Sequence, residues 1–251
     1  ESACKPADFM ANRFYDPGAE RAKKVDHLFG AIARRYDLIN DVQSVGLHRL
    51  WKRRVVALAD PRPGQMALDL CCGTGDLAFA LAGRGATVIG VDFSRAMLGV
   101  AAERRGASPA PTVGFACGDA LSLPVADATC DLVTIGYGLR NLADLPRGLA
   151  EIWRVLRPGG RLVALDFGKP DFAPWRAAYY AYLRLLVPVF GLVFCGNAYA
   201  YAYILESLRH YPAQQGVHQM LGELGAVNRR IVNLLGGAMS INYAEKPPPA
   251  P

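Results

Sequence analysis

Apolar residues recur along this chain with two different periods. Five short runs, at 66–71, 87–91, 112–116, 131–136 and 161–165, are dense in aliphatic residues and predict strands. Between them apolar residues fall at helical spacing, most clearly Leu149, Ile152, Trp153 and Leu156 behind Asp144, a residue suited to cap a helix N-terminus. Pro158, Gly159 and Gly160 predict the stop of that helix and a turn into the fifth strand. Alternation of this kind implies an α/β fold: a parallel sheet with helices on both faces.

The flanks follow other patterns. Val25, Leu28, Phe29, Ile32 and Tyr36 mark one face of an N-terminal helix. A second helix is predicted after Ser44, with Leu47, Leu50, Trp51, Val55 and Leu58 apolar and His48, Arg49, Lys52, Arg53 and Arg54 forming a basic face. An apolar, tyrosine-dense insert follows the fifth strand, and a helix carrying Val217, Met220, Leu221 and Leu224 then leads to two strand-like runs joined at Gly236 and Gly237, a hairpin signal. The expected organisation is one domain: a helical lid at 20–58, a core at 62–170, the apolar helical insert at 171–212, a final helix and hairpin at 213–246, and a disordered proline-rich tail at 247–251.

Size permits a single substantial core, since the chain has 251 residues and is 52% hydrophobic. A formal charge of +6 favours anionic partners, either nucleic acid or a membrane surface. Nucleic acid is not expected, because the aromatic residues do not interleave with the basic run as they do in nucleic-acid modules. Residues 1–24 are polar and predict no secretory leader. Six scattered cysteines (Cys4, Cys71, Cys72, Cys117, Cys130, Cys195) with no CxxC pair read as reduced core thiols of a cytosolic protein, and no metal cluster stands out.

The chemistry concentrates at "LDLCCGTGDLA" (68–78), a glycine-rich turn between a strand and a helix. Alone it fits a dinucleotide as well as S-adenosylmethionine, because Asp92 at the end of the second strand offers two acceptor oxygens to ribose hydroxyls in either case. Asp69 decides between them: it would hold a cationic methionyl ammonium but repel a pyrophosphate. Asp119 and the amide of Ala120 stand where an adenine would lie, after the third strand. An antiparallel strand at the end is also unlike the usual dinucleotide fold. A P-loop is excluded, because no Lys-Ser/Thr pair follows the glycines.

With "ARRYDLIND" (33–41), "GLHRLWKR" (46–53), "GLRNL" (138–142), "RVLRPGGRLVALDFGKP" (154–170) and "YAYILESLRHYPAQQ" (201–215), the chain resembles the class I methyltransferases, and specifically the ubiquinone/menaquinone biosynthesis C-methyltransferase family, over about residues 20–246. The resemblance implies a Rossmann-like seven-stranded sheet. It also implies S-adenosylmethionine as methyl donor, with contacts at Thr74, Asp92, Asp119 and Ala120, alongside Asp69, Gly73 and Gly75 from the turn. Gly136 stands where the family often has serine, leaving only backbone groups there. The implied reaction is C-methylation of a prenylated quinol, menaquinone-type or ubiquinone-type, without a metal.

Arg140 and Asn141 follow the fourth strand, where the methyl should be delivered. Arginine is a poor base but stabilises a phenolate or orients a water. Tyr36 from the lid completes that set by resemblance, and Asp37 reads as a turn or cap residue. The apolar stretch 177–194 is long enough to raise a membrane span, but Arg184 and Pro188 argue for a helical lid over a greasy slot. Seven of the eleven tyrosines lie between Tyr179 and Tyr211 and suit an interface. The expected location is cytoplasmic, peripheral to the inner face of the cell membrane, on anionic headgroups. A homodimer or association with other quinone-biosynthesis enzymes stays open. An NAD-dependent oxidoreductase and a catalytically silent adenosyl-binding module at the membrane are the competing readings.

Overall fold

The computed structural model describes residues 20–107, 112–195 and 199–249. Cys4, the side chain of Cys195 and the last two tail residues lie outside the described residues. Strands β1 (Met66–Leu70), β2 (Thr87–Asp92), β3 (Val113–Cys117), β4 (Cys130–Gly136), β5 (Leu156–Phe167), β6 (Val227–Leu234) and β7 (Met239–Glu245) form one sheet in the order 3-2-1-4-5-7-6. All pairs among β1 to β5 are parallel, and β7 runs antiparallel to both β5 and β6. The expected seven-stranded sheet is therefore present. Its hairpin turns where Gly236 and Gly237 hold φ of +62° and +89°, a backbone that favours glycine.

Strand alternation splits the core into two layers. Leu68, Leu70, Val133, Ile135, Leu162 and Ala164 point to one face, and Ala67, Leu132, Val163 and Leu165 to the other. Helices α6 (Leu145–Val155) and α10 (Ala213–Glu223) cover the first face through Leu149, Ile152, Val217 and Leu221. The side chain of Asp144 caps α6 by accepting from the Arg147 amide (3.0 Å), a contribution of about 1 kcal/mol. That helix ends at Val155, ahead of the Pro-Gly-Gly turn, which lies inside the first part of β5.

Helices α3 (Leu47–Ala59) and α4 (Asp76–Ala82) cover the other face through Val55, Val56, Leu77, Ala78 and Leu81. Thus α3, placed in the lid by its sequence, is a layer of the core. Its expected basic face is also divided. His48 is buried and Lys52 turns inward to Asp76 (2.6 Å), while Leu50, expected on the apolar face, is exposed.

Helices α1 (Arg21–Ile32) and α2 (Tyr36–Ser44) make up the rest of the segment expected as a lid, with α1 set against α5 (Arg95–Gly106). The insert is broken into α7 (Ala173–Leu185), α8 (Val187–Cys195) and α9 (Tyr199–His210), because Pro188 in the first turn of α8 cannot continue α7. Among the described residues no helix is long and apolar enough to cross a membrane. Cys71, Cys72, Cys117 and Cys130 are free thiols, but Cys117 is exposed rather than a core residue.

Candidate active site

Strand order reverses at β1, which lies between β2 and β4, so the C-terminal ends of β1 and β4 open a crevice. Two non-glycine residues adopt left-handed backbone at this edge: Cys71 (φ +53°) directly after β1 and Tyr137 (φ +63°) directly after β4. Such backbone costs on the order of 1–3 kcal/mol per residue and persists where its surroundings over-determine it. Here the Tyr137 amide is held by the Leu165 carbonyl (2.7 Å). Three cavities meet above this edge.

The first, of about 120 Å³, is bordered by Gly73, Asp92, Phe93, Asp119, Ala120 and Asn141 among others. Asp92 closes the glycine turn over the end of β2: one carboxylate oxygen accepts from the Gly73 amide (2.8 Å), the other from the Ser94 amide (2.9 Å). A carboxylate offers about four acceptor positions, so two remain for a ligand. Burial raises the Asp92 pKa, and those two amides counteract the rise. Asp119 likewise spends one position on the Leu121 amide (2.9 Å). A Cβ at Gly75 would stand 2.9 Å from both Phe115 and Phe79, so the turn tolerates no side chain there.

A second cavity of about 30 Å³ adjoins it and reaches Asp69, Thr74 and Gly136. Asp69 is buried beside its cross-strand neighbour Thr134, whose hydroxyl donates to Oδ1 (2.8 Å), while Oδ2 has no partner. Burial lifts its pKa to about 7, against the pull of the Thr134 hydroxyl. An orphaned buried carboxylate oxygen of this kind fits a cationic ammonium. Thr74 is buried with its hydroxyl donated to Asp37 (3.0 Å), so it faces the lid. Asp37 also accepts from Arg104 (3.1 Å), which in turn reaches Asp76 (2.7 Å). Asp37 is thereby more than a cap: it ties α2 to the glycine turn.

The third cavity, about 340 Å³, is walled by apolar and aromatic side chains of α1, α2, α3, α7 and α9. Tyr36 and Tyr137 border all three spaces. Arg140 borders the large cavity and Asn141 the one of about 120 Å³, so the two neighbours are parted by the short helical turn that carries them. The Arg140 guanidinium is buried and donates to Asp166 (2.9 Å), the Tyr137 carbonyl (2.7 Å) and the Tyr203 hydroxyl (3.0 Å), with its plane over Phe167. Burial opposes its charge, but Tyr203 and Asp166 more than offset this and hold it protonated.

Six buried polar atoms without a hydrogen-bond partner belong to residues around this apolar cavity: Asn40 Nδ2, Gln43 Nε2, His48 Nδ1, Tyr137 OH, Arg140 Nε and Tyr179 OH. Unpaired polar groups in a dry wall are costly. Sequence reasoning missed Asp166, Tyr137, Tyr203 and the His48–Asp41 pair. Asp166 carried a usable signal, since it ends an apolar strand as Asp92 does. His48 shares a helical face with Val55 and Ala59, which marks it as inward.

Residues 18–246 match the ubiE/COQ5 methyltransferase family. The chain is 38% identical over 234 residues to a demethylmenaquinone methyltransferase of Desulfitobacterium hafniense, covering 92% of each chain. It is 39% identical over 237 residues to the ubiquinone/menaquinone biosynthesis C-methyltransferase UbiE of Cellvibrio japonicus, covering 92% of this chain and 94% of that one. Among solved structures, a SAM dependent methyltransferase from Aquifex aeolicus shares the fold with a TM-score of 0.57 at 19% identity, over 92% of this chain and 98% of that one.

Proposed function

The chain belongs to the ubiE/COQ5 methyltransferase family, and we propose that it moves a methyl group from S-adenosylmethionine to a ring carbon of a prenylated quinol. The observation that carries this reading is the meeting of a carboxylate-lined cavity and a larger apolar cavity at Tyr36 and Tyr137. The adenosyl group would lie on Asp92, Asp119 and the Ala120 amide, and the methionyl ammonium on Asp69. Gly73 would admit the ligand by its lack of a side chain, while Gly75 and Gly136 make room for Phe115, Phe79 and Leu77, each 2.9 Å from an added Cβ. Thr74 would act through the lid, by its bond to Asp37. Bound there, the donor supplies an electrophilic methyl on a sulfonium. The quinol ring would lie in the large cavity, its phenolate facing Arg140, with Tyr36 and Tyr137 flanking the reactants to align them and exclude water.

Relatives are named for menaquinone and for ubiquinone precursors alike. The test is mass spectrometry of naphthoquinols and benzoquinols after incubation with isotopically labelled donor. Label in neither ring class would end this reading. The family match weighs against both the oxidoreductase and the silent adenosyl module.

Asp69 makes the donor site sensitive to pH. A cationic ligand favours the ionised carboxylate, so binding should strengthen as pH rises through about 7 and release a proton below that pH. Affinity should be about tenfold lower at pH 6 than at pH 8. Calorimetry in buffers of different ionisation enthalpy measures the proton. Asp69→Asn should flatten the profile, and a flat wild-type profile would remove the ammonium from this carboxylate.

A prenyl tail calls for a lipid-facing opening. Val42 and Val45 of α2 are exposed, as are Leu185, Leu186, Val189, Leu192 and Val193 of the insert, and α2 packs on α8. Val45 and Leu235, both more than half exposed, sit on the rim of the large cavity, and the insert itself carries exposed Arg184 on α7 and Arg209 on α9. This surface would seat on anionic headgroups at the inner face of a membrane. Sedimentation with phosphatidylcholine vesicles doped with phosphatidylglycerol should show binding that falls with salt. Val45→Asp with Leu192→Asp should abolish that binding while sparing turnover of a tail-less quinol.

A further inference from the structure

A quinol carbon becomes nucleophilic when the neighbouring hydroxyl loses its proton, so the large cavity needs a group that accepts one. The side chains around it narrow the choice. Arg140 is held protonated by Tyr203 and Asp166, against the cost of its burial. Burial pushes the phenols of Tyr36, Tyr137 and Tyr179 above their usual range, and the amides of Asn40 and Gln43 are not bases. No carboxylate borders this cavity among the described residues. One bordering group is an imidazole, whose neutral form accepts a proton: His48, on the first turn of α3.

Its geometry suits the task. The imidazole is 3% exposed, and Nε2 is 2.8 Å from Asp41 Oδ1. Because a carboxylate only accepts, Nε2 carries the proton and donates it, which leaves Nδ1 as the free acceptor. Nδ1 is buried and has no partner. Asp41 is itself fixed by Arg49, whose Nε (2.7 Å) and Nη2 (2.5 Å) grip its two oxygens. A neutral imidazole in the wall of a cavity, with one nitrogen tethered to an oriented carboxylate and the other unpaired, is the arrangement of a general base.

We infer that His48, oriented by Asp41, is the general base that takes the hydroxyl proton of the quinol. The inference rests on the quinol reading above. The O–H proton passes to His48 Nδ1, and the electron pair left on oxygen is delocalised to the ring carbon. That carbon bonds the methyl as the carbon–sulfur bond breaks, its electron pair going to sulfur, which leaves a neutral dienone and S-adenosylhomocysteine. The dienone then loses its ring proton to water while His48 returns its proton to the oxygen. The net release is one proton, and His48 ends neutral.

The charged groups around the imidazole set the pH dependence. Burial lowers the His48 pKa below 6.5, the Asp41 hydrogen bond raises it, Lys52 on its own helix lowers it, and Asp76 of α4 raises it. Activity should therefore fall on the acid side, below about pH 6.5, as Nδ1 becomes protonated.

The experiment compares wild type, His48→Gln and Asp41→Asn in steady-state methylation of a reduced quinol across pH, with donor affinity measured for each as a control on folding. His48→Gln should lower kcat roughly 10²–10³-fold, change donor affinity little and lose the acid limb. In Asp41→Asn the limb should move to lower pH, because the group that favoured the protonated ring is gone, and a purely structural residue would not move it. With donor saturating at every pH, so that the Asp69 dependence of binding drops out of kcat, a His48→Gln enzyme that keeps most of its kcat, or a kcat acid limb that survives in it, overturns the assignment while leaving the quinol reading intact. A wild type that methylates neither quinol class overturns both.

Discussion

Arg140→Ala should cut turnover roughly 10²–10³-fold, the range for losing one preorganised electrostatic donor, and should also cost about 3–5 kcal/mol of stability. The second effect follows from the fold. Asp166 is 2% exposed, and besides the Arg140 guanidinium its carboxylate receives only the backbone amides of Arg140 and Phe167. Removing the guanidinium strands that buried charge. The two effects separate in the double variant Arg140→Ala with Asp166→Asn, which should recover most of the melting temperature and none of the turnover. Donor affinity should hold in both, because Arg140 borders the large cavity. Full turnover in Arg140→Ala would exclude it from the chemistry. Asn141→Ala should differ, since that side chain borders the adenosyl-sized cavity: its loss should appear in donor affinity.

Asp92→Ala should weaken S-adenosylmethionine binding by about 1.5–3 kcal/mol, roughly 10- to 150-fold, the scale for losing charge-assisted hydrogen bonds. Two causes act together. The ligand's hydroxyls lose their acceptors, and the amides of Gly73 and Ser94 lose theirs, so the glycine turn no longer has its anchor. Asp92→Asn retains one acceptor oxygen and should fall between the two. Titration calorimetry reads both. Unchanged affinity, or NADH binding more tightly than the methyl donor, would overturn the cofactor placement.

The parts of this molecule legible in its sequence are those governed by local rules. Strand periodicity, the Asp144 cap and the Gly236–Gly237 turn each follow from a few neighbouring residues, and together they place the glycine turn at the reversal of strand order. Residues that matter through distant contacts were harder to read. Thr74 is expected as a ligand contact, and no local rule shows that its hydroxyl also donates to Asp37, 37 residues away. Arg140 and Asn141 looked like a unit, because sequence adjacency does not reveal that a short helical turn sends consecutive side chains into different cavities. His48 looked solvated because its neighbours are basic, and only the meeting of α2 and α3 brings Asp41 against it.

The confluence of spaces at Tyr36 and Tyr137 has a use in ligand design. Both tyrosines border each cavity, so a single molecule passing between them could occupy both, with adenosine on Asp92 and an apolar aromatic group beside Arg140. Once one end is seated, the other is presented at an effective concentration in the millimolar range for a short flexible linker. Such a molecule would bind more tightly than either half by the ratio of that concentration to the Kd of the other half, and an amine placed midway would be aimed at the unpaired oxygen of Asp69. Adenosyl analogues alone would bind many enzymes of this fold. The aromatic half would confine the compound to chains whose lid and insert close over a cavity of this shape.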